Sequence, residues 1–287
     1  MYCNVLAMEI RTNFVPGVPR IAYDEAGAGP PVLFLHGIGG NRTNWGEQLL
    51  ACAPTNRAIA WDARGYGRSE DYEGQLNFAQ FADDVVRLLD HLVIPSITLV
   101  GLSMGGRISQ DVYFRYPERV RAMVLCDTFP GTTPNLPSEK MDEFINLRKG
   151  PLLAGKSLRE MGEPLARTLI SKTGKPEHFQ RLVTSIEALH KGSYIKTIEA
   201  TARYNRPVDL STIEVPVQLI YGAEDKLTPP EIGRKMQKNI PGAELAIIDG
   251  AGHLVNIERG AEFNIILQDF LKRVASTEGS PQNSSGS

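Results

Sequence analysis

Three short stretches of this chain carry side chains that together could perform nucleophilic chemistry. The first is "VGLSMGG", Val100 to Gly106, where Gly101 and Gly105 flank Ser103 at the spacing G-x-S-x-G. That spacing suits a turn so tight that the serine is strained, with glycines where larger residues would clash. The second stretch, "AEDKLTPP", carries Asp225, and the third, "GAGH", carries His253. A serine hydroxyl is a poor nucleophile at neutral pH, and a neutral imidazole can take its proton during attack. A carboxylate then fixes the imidazole tautomer and stabilises the imidazolium that forms. The resulting oxyanion needs preorganised donors. Those expected are the backbone N–H of Met104, just after Ser103, and of Ile38, in the glycine-rich stretch Gly37 to Gly40. Asp127, which also follows an apolar run, is the alternative acid. Asp62 in "WDARGYGRS" is expected to brace a loop, and His36 to hold the Gly37 loop.

Residues this far apart need a scaffold that gathers them. Six apolar runs read as strands: Val32–His36, Ala58–Trp61, Ile97–Gly101, Ala122–Asp127, Val217–Gly222 and Leu245–Asp249. Their nearly continuous apolar character fits strands covered on both faces. Helical patterns lie between them, at Asn77–Leu92, Met104–Tyr116, Pro230–Asn239 and Ala261–Val274. In the first of these, Phe78, Phe81, Val85, Leu88, Leu89 and Leu92 recur at helical spacing. "AMEIRTNF" and "RIAYDEA" read as a leading antiparallel hairpin. The expected fold is therefore α/β: a mostly parallel, doubly wound sheet. Residues 1–129 and 210–275 form its core, 130–209 an inserted helical cap, and 276–287 a disordered tail. In such sheets ligands bind beyond the carboxyl ends of the strands. The Gly37 loop, Ser103, Asp225 and His253 all follow strand ends.

Composition narrows the classes. Apolar residues make up 42% of 287, as in a globular chain, and the net charge of −2 gives no electrostatic case for nucleic acid or an anionic membrane. No apolar run approaches the roughly 20 residues of a membrane helix, and no signal peptide is read. The three cysteines, Cys3, Cys52 and Cys126, show no metal-ligand spacing. A reducing, cytoplasmic location, no metal and no cofactor are expected.

The pieces "HGIGG", "WDARGYGRS", "GLSMGG", "YGAEDKLTPP" and "GAGHLVNIE" resemble the α/β-hydrolase superfamily across almost the whole core. Within it, "GLSMGG" followed by "YPERVRAMVLCDT", and "GAGHLVNIERGAEFNIILQDFL", are most similar to the 3-oxoadipate enol-lactonase group. The resemblance implies cofactor-free hydrolysis of a small-molecule ester or lactone, with Ser103, Asp225 and His253 as the triad. C–C hydrolases of meta-cleavage products, cofactor-free perhydrolases, general carboxylesterases and triad-bearing binding proteins share these blocks. Gly37, Phe129, Tyr194, Leu227 and Leu254 are expected around the substrate, with Ile38 and Met104. A carboxylated lactone would also need a cation, since an unpaired buried carboxylate is costly and arginine pairs with it bidentately. The cap offers Arg148, Arg159, Arg167, Arg181, Arg203 and Arg206, and Arg203 is the expected partner.

Overall fold

The computed structural model describes residues 9–131 and 138–278. Eight strands form one sheet: β1 (Arg11–Val15), β2 (Ile21–Ala26), β3 (Pro31–Leu35), β4 (Arg57–Trp61), β5 (Ile97–Leu102), β6 (Val120–Cys126), β7 (Val217–Gly222) and β8 (Glu244–Ile248). Their spatial order is β1-β2-β4-β3-β5-β6-β7-β8. β1 pairs antiparallel with β2, and β2 antiparallel with β4; every other pairing is parallel. The expected hairpin thus extends one edge of a parallel sheet. Every residue of β5 and of β7 is buried, which explains their unbroken apolar runs. The edge strand β8 is covered less completely.

The helices among the described residues are α1 (Gly46–Cys52), α2 (Ala79–His91), α3 (Met104–Arg115), α4 (Ser138–Leu153), α5 (Leu158–Leu169), α6 (Pro176–Glu187), α7 (Lys191–Arg203), α8 (Pro230–Asn239), α9 (Val255–Glu258) and α10 (Gly260–Glu278). α2 buries Phe81, Ala82, Val85, Leu88 and Leu89, the face its periodicity marks. It starts two residues later than Asn77, because the Asn77 side chain accepts the Ala79 N–H at 3.1 Å and turns the chain into the helix. α4 to α7 form the helical region inserted between β6 and β7. α10 runs to Glu278, so residues 276–278 are helical, although the polar composition there reads as the start of a tail; residues 279–287 lie outside the described part. Cys52 and Cys126 are free and buried.

The core is continuous through the sheet. Trp45, Trp61, Tyr66, Tyr221 and Phe34 are its largest fully buried side chains. Trp45 packs between Phe34 of β3 and Phe263 of α10, at ring-centroid distances of 5.1 and 6.2 Å. α3 lies so close to the end of β3 that a Cβ on Gly105 would stand 2.0 Å from the Leu35 carbonyl oxygen. That oxygen is backbone and cannot move without displacing the strand. Gly105→Ala is therefore expected to lower the unfolding free energy by about 1–3 kcal/mol or more. Urea denaturation of the purified variant measures it.

Candidate active site

The turn after β5 is built around one strained residue. Ser103 has φ 55° and ψ −115°, in the left-handed region that non-glycine residues rarely enter. Its backbone is tied down on both sides. The Ser103 N–H donates to Cys126 O at 2.9 Å. Its carbonyl accepts from the Thr128 hydroxyl at 2.6 Å and from Gly106 N–H at 3.0 Å. The neighbouring glycines are steric requirements. A Cβ on Gly101 would lie 2.3 Å from Gly105 O, and one on Gly106 would lie 2.7 Å from the Thr128 side chain. Met104 is the first residue of α3, so its N–H belongs to the four that a helix leaves without an intrahelical partner.

The Gly37 loop follows β3 and lies against this turn. A Cβ on Gly37 would come within 3.1 Å of the Ser103 Cβ. The loop closes through Gly40 N–H to Gly37 O at 3.1 Å, with Gly39 at φ 87°. His36 fixes its base. Ala63 N–H donates to His36 Nε2 at 3.1 Å, which leaves Nδ1–H to donate to Gly37 O at 2.9 Å. Burial pushes the His36 imidazole below its ordinary value, in keeping with this neutral tautomer. Asp62 acts as the expected brace. Its fully buried carboxylate accepts Arg42 Nη1 at 2.6 Å, Arg42 N–H at 2.7 Å and Arg68 N–H at 2.8 Å.

Asp225 and His253 meet beyond the ends of β7 and β8. Asp225 Oδ2 lies 2.8 Å from His253 Nδ1, and both side chains are buried. The same carboxylate accepts Leu227 N–H at 2.8 Å, Thr228 N–H at 3.1 Å and the Thr228 hydroxyl. Burial alone would push the Asp225 carboxyl up. The His253 charge and hydrogen bond, together with Thr228, outweigh it and hold the carboxyl below its usual range. With Nδ1 engaged by the carboxylate, Nε2 is the nitrogen left to exchange a proton. Thr228 is a site residue that motif reasoning misses, although it stands in the quoted "AEDKLTPP" at the spacing of an Asp that caps its own turn.

A small cavity of about 20 Å³ connects these parts. Its lining includes Gly37, Ile38, Leu102, His253 and Leu254, and so joins the Gly37 loop, the residue before Ser103 and the histidine. Met104, 2% exposed, belongs to the buried core. Of the other expected pocket residues, Phe129, Tyr194, Arg203 and Leu227 do not line this cavity. Phe129 is half-buried, and its carbonyl accepts from Gln110 Nε2 at 2.9 Å. Leu227 is exposed to 40%. Arg203 forms an ion pair with Asp142 at 2.6 Å and lines a separate open groove with Gln75, Phe78 and Lys196. Its side chain is 58% exposed.

Tyr194 is buried in α7 and neighbours Tyr66, whose ring packs on His36 at 4.8 Å. Arg148 of α4 stands beside Tyr194, and burial holds its guanidinium below the ordinary value. The remaining arginines of the insertion have partners of their own. Arg159 meets Glu187, Arg181 meets Glu47 and Arg206 meets Asp111. Arg167 lies over the Phe179 ring.

Asp127, the alternative acid, is fully buried at the end of β6 with φ 41°. Its Oδ1 accepts Gly222 N–H at 2.8 Å, which ties β6 to β7. Burial, and then the nearby Asp225 charge, push its carboxyl well above the usual range. Among the described residues no group of three or more His, Cys, Asp or Glu side chains could hold a metal, and no helix is long and apolar enough to cross a membrane.

This constellation, on a mostly parallel sheet with an inserted helical region, is that of an α/β hydrolase. The family model for the alpha/beta hydrolase fold matches residues 30–260, and the chain belongs to that family. It is 28% identical over 252 residues to 3-oxoadipate enol-lactonase 2 of Acinetobacter baylyi, covering 85% of this chain and 89% of that one. It is 29% identical over 270 residues to a non-heme chloroperoxidase of Kitasatospora aureofaciens, covering 88% and 96%. A thermophilic esterase from Thermogutta terrifontis superposes with a TM-score of 0.81 at 26% identity, covering 93% of this chain and 99% of the other.

The Asp225 carboxyl makes a signed contribution to acid stability. A carboxylate held below its unfolded value stabilises the fold above roughly pH 4, and that stabilisation is lost as pH falls through the folded value. The difference in unfolding free energy between the wild type and Asp225→Asn should therefore shrink as pH falls below about 4. Denaturant titrations below that pH measure the difference; a gap that widens there would contradict the assignment.

Proposed function

We propose that the protein hydrolyses a carboxylic ester or lactone through an acyl-enzyme on Ser103, with His253 as base and Asp225 as the orienting acid. The observation that carries this is the meeting of His253, held on Nδ1 by Asp225, with the Gly37–Ile38 backbone around one cavity next to Ser103. In the first half-reaction Ser103 Oγ attacks the carbonyl carbon while His253 Nε2 takes the hydroxyl proton. The carbonyl π electrons move to oxygen, where the N–H groups of Ile38 and Met104 receive the negative charge. Collapse breaks the acyl–oxygen bond, and the imidazolium returns its proton to the departing alkoxide. For a lactone that alcohol stays attached to the acyl chain. Water, deprotonated by His253, then attacks the acyl carbon; the Ser103 Oγ–acyl bond breaks, the imidazolium returns the proton to Oγ, and the acid leaves.

The names of the enol-lactonase and esterase relatives support this bond type. Ser103→Ala should abolish esterase activity on p-nitrophenyl acetate while leaving the fold intact, as read by circular dichroism. A serine-directed phosphonate should label Ser103 in peptide maps; labelling at Ser109 instead would sink the assignment.

The two acids separate cleanly. Asp225→Asn should lower kcat by about 10⁴-fold, by analogy with other triads. Asp127→Asn keeps an acceptor for Gly222 N–H and removes a carboxyl whose charged form burial disfavours. Its kcat should stay within about tenfold of wild type, well inside the loss expected for a true triad acid. Reversed effects would place the acid after β6.

Substrate class rests on the insertion. A carboxylated lactone requires a cation near the bound acyl chain. Arg148, partly buried beside Tyr194, meets that need better than the exposed Arg203. Steady-state rates on a carboxylated enol-lactone, a neutral lactone, a neutral aryl ester and a meta-cleavage dienoate decide it. The lactonase reading predicts the highest kcat/KM for the carboxylated lactone and loss of that preference in Arg148→Gln but not in Arg203→Gln. A best rate on the dienoate would move the protein to C–C hydrolysis.

A further inference from the structure

Glu258, at the end of α9, is 4% exposed and forms no ion pair with a basic side chain among the described residues. Its two carboxylate oxygens instead receive backbone donors from two distant segments. Oε1 accepts Gly252 N–H at 2.9 Å, in the loop that carries His253. Oε2 accepts Ser171 N–H at 2.9 Å, just past the end of α5 in the helical insertion. Between these bonds runs a third, in which His253 N–H donates to Leu169 O at 2.8 Å. The Ser171 hydroxyl adds a fourth, to Gly250 O at 3.1 Å.

The approach of the two segments is close. A Cβ on Gly252 would lie 2.7 Å from both Leu169 O and Ser171 N, and 3.0 Å from Glu258 Oε1. Only a residue with no side chain lets the two backbones meet. Only a carboxylate offers acceptors to both N–H groups at once. Glutamine would have to turn its NH₂ toward one of them, leaving a buried donor facing a donor.

We infer that Glu258 is a positioning residue that latches residues 169–171 of the insertion to the His253 loop, so that the insertion and the proposed base hold their positions together. The residue does not touch the reacting atoms. It acts through the backbone on either side of His253, whose ring must sit within a few tenths of an ångström of a productive position. The inference on catalysis rests on the role proposed for His253, but the latch itself can be measured without it.

The test compares Glu258→Gln with Ser171→Pro and Ser171→Ala. Proline removes the Ser171 donor, and Ile170, at φ −90° and ψ 144°, already has the extended backbone that a following proline requires. Ser171→Ala removes only the hydroxyl. Hydrogen exchange reads the Gly252, His253 and Ser171 amides with no substrate present. Glu258→Gln should speed exchange at all three, whereas unchanged protection at His253 overturns the latch whether or not the protein turns over any ester. On p-nitrophenyl acetate, Glu258→Gln and Ser171→Pro should each lower kcat by about 10–100-fold with KM changed less than about threefold. Phosphonate labelling of Ser103 should slow by the same factor. The double variant should lose little more than either single one, since both break one connection. A fall in Tm with kcat intact, or losses that multiply in the double variant, would make Glu258 a stability residue only. Should Glu258→Gln fail to fold, Ser171→Pro set against Ser171→Ala decides the same question. If wild-type Ser103 takes no label, the proposed chemistry fails while the exchange data still decide the latch.

Discussion

The left-handed backbone at Ser103 is the constraint from which the rest of the site follows. Such a conformation in a non-glycine residue costs on the order of 1–3 kcal/mol and persists only where the surroundings over-determine it. Here the surroundings are the wholly buried strand β5, the bond to Cys126 O and the Thr128 hydroxyl on the Ser103 carbonyl. The turn also dictates its neighbours. With Gly105 pressed on the Leu35 carbonyl, the end of β3 is fixed relative to the serine. The Gly37 loop begins two residues later and inherits that position. One strained residue thus sets the spacing between a hydroxyl and the backbone donors expected to face it.

Buried charge supplies the second layer of control. Arg42 bridges Asp24 and Asp62, Asp84 holds Arg64 and Arg87, and Asp111 holds Arg115 and Arg206. Pairs of this kind add little net stability compared with well-packed apolar residues, yet removing one partner is strongly destabilising. Their value here lies in geometry. Asp62 pins the start of the loop after Gly40 to the loop after β4, and a Cβ on Gly67 would lie only 2.3 Å from its carboxylate. The motif "WDARGYGRS" is therefore a brace in which Gly67 makes room for a buried anion.

The sequence is most legible where one physical cause acts alone. Parallel strands covered on both faces read as apolar runs, and a strained serine reads as a serine among glycines. Elements shaped by contact with distant chain are harder. α1 has only seven residues, and its burial rests on Gln48, Leu49 and Cys52 meeting α10 and β4. α9 is a four-residue turn whose shape depends on its neighbours. For Arg203 the deciding signal is in the sequence, in the phase of its helix. α7 buries Ser193, Tyr194, Thr197, Ile198 and Thr201. At about 100° per residue, Arg203 lies half a turn from Tyr194, on the face that looks away from the core. Helical phase, rather than nearness in sequence to the return into β7, decides where Arg203 points.

The helical insertion touches every loop of the candidate site. Ser185 of α6 accepts from Asn41 and donates to Asn44, beside the Gly37 loop. His190 and Lys196 meet carbonyls of the loop after β4. Arg107 of α3, three residues from Met104, donates to Thr201 O and Tyr204 O at 2.8 Å each. Leu169 and Ser171 hold the His253 loop. The insertion is therefore part of the frame that places the Gly37 and His253 loops. Substitutions on its inner face therefore disturb the Gly37 and His253 loops together with the lining of the cavity. Divergence of substrate preference in such a scaffold is easiest at α4, whose described contacts run mainly to α7 and α5 rather than to the loops beyond the strands. Arg148, the cation proposed for a carboxylated lactone, lies on that helix.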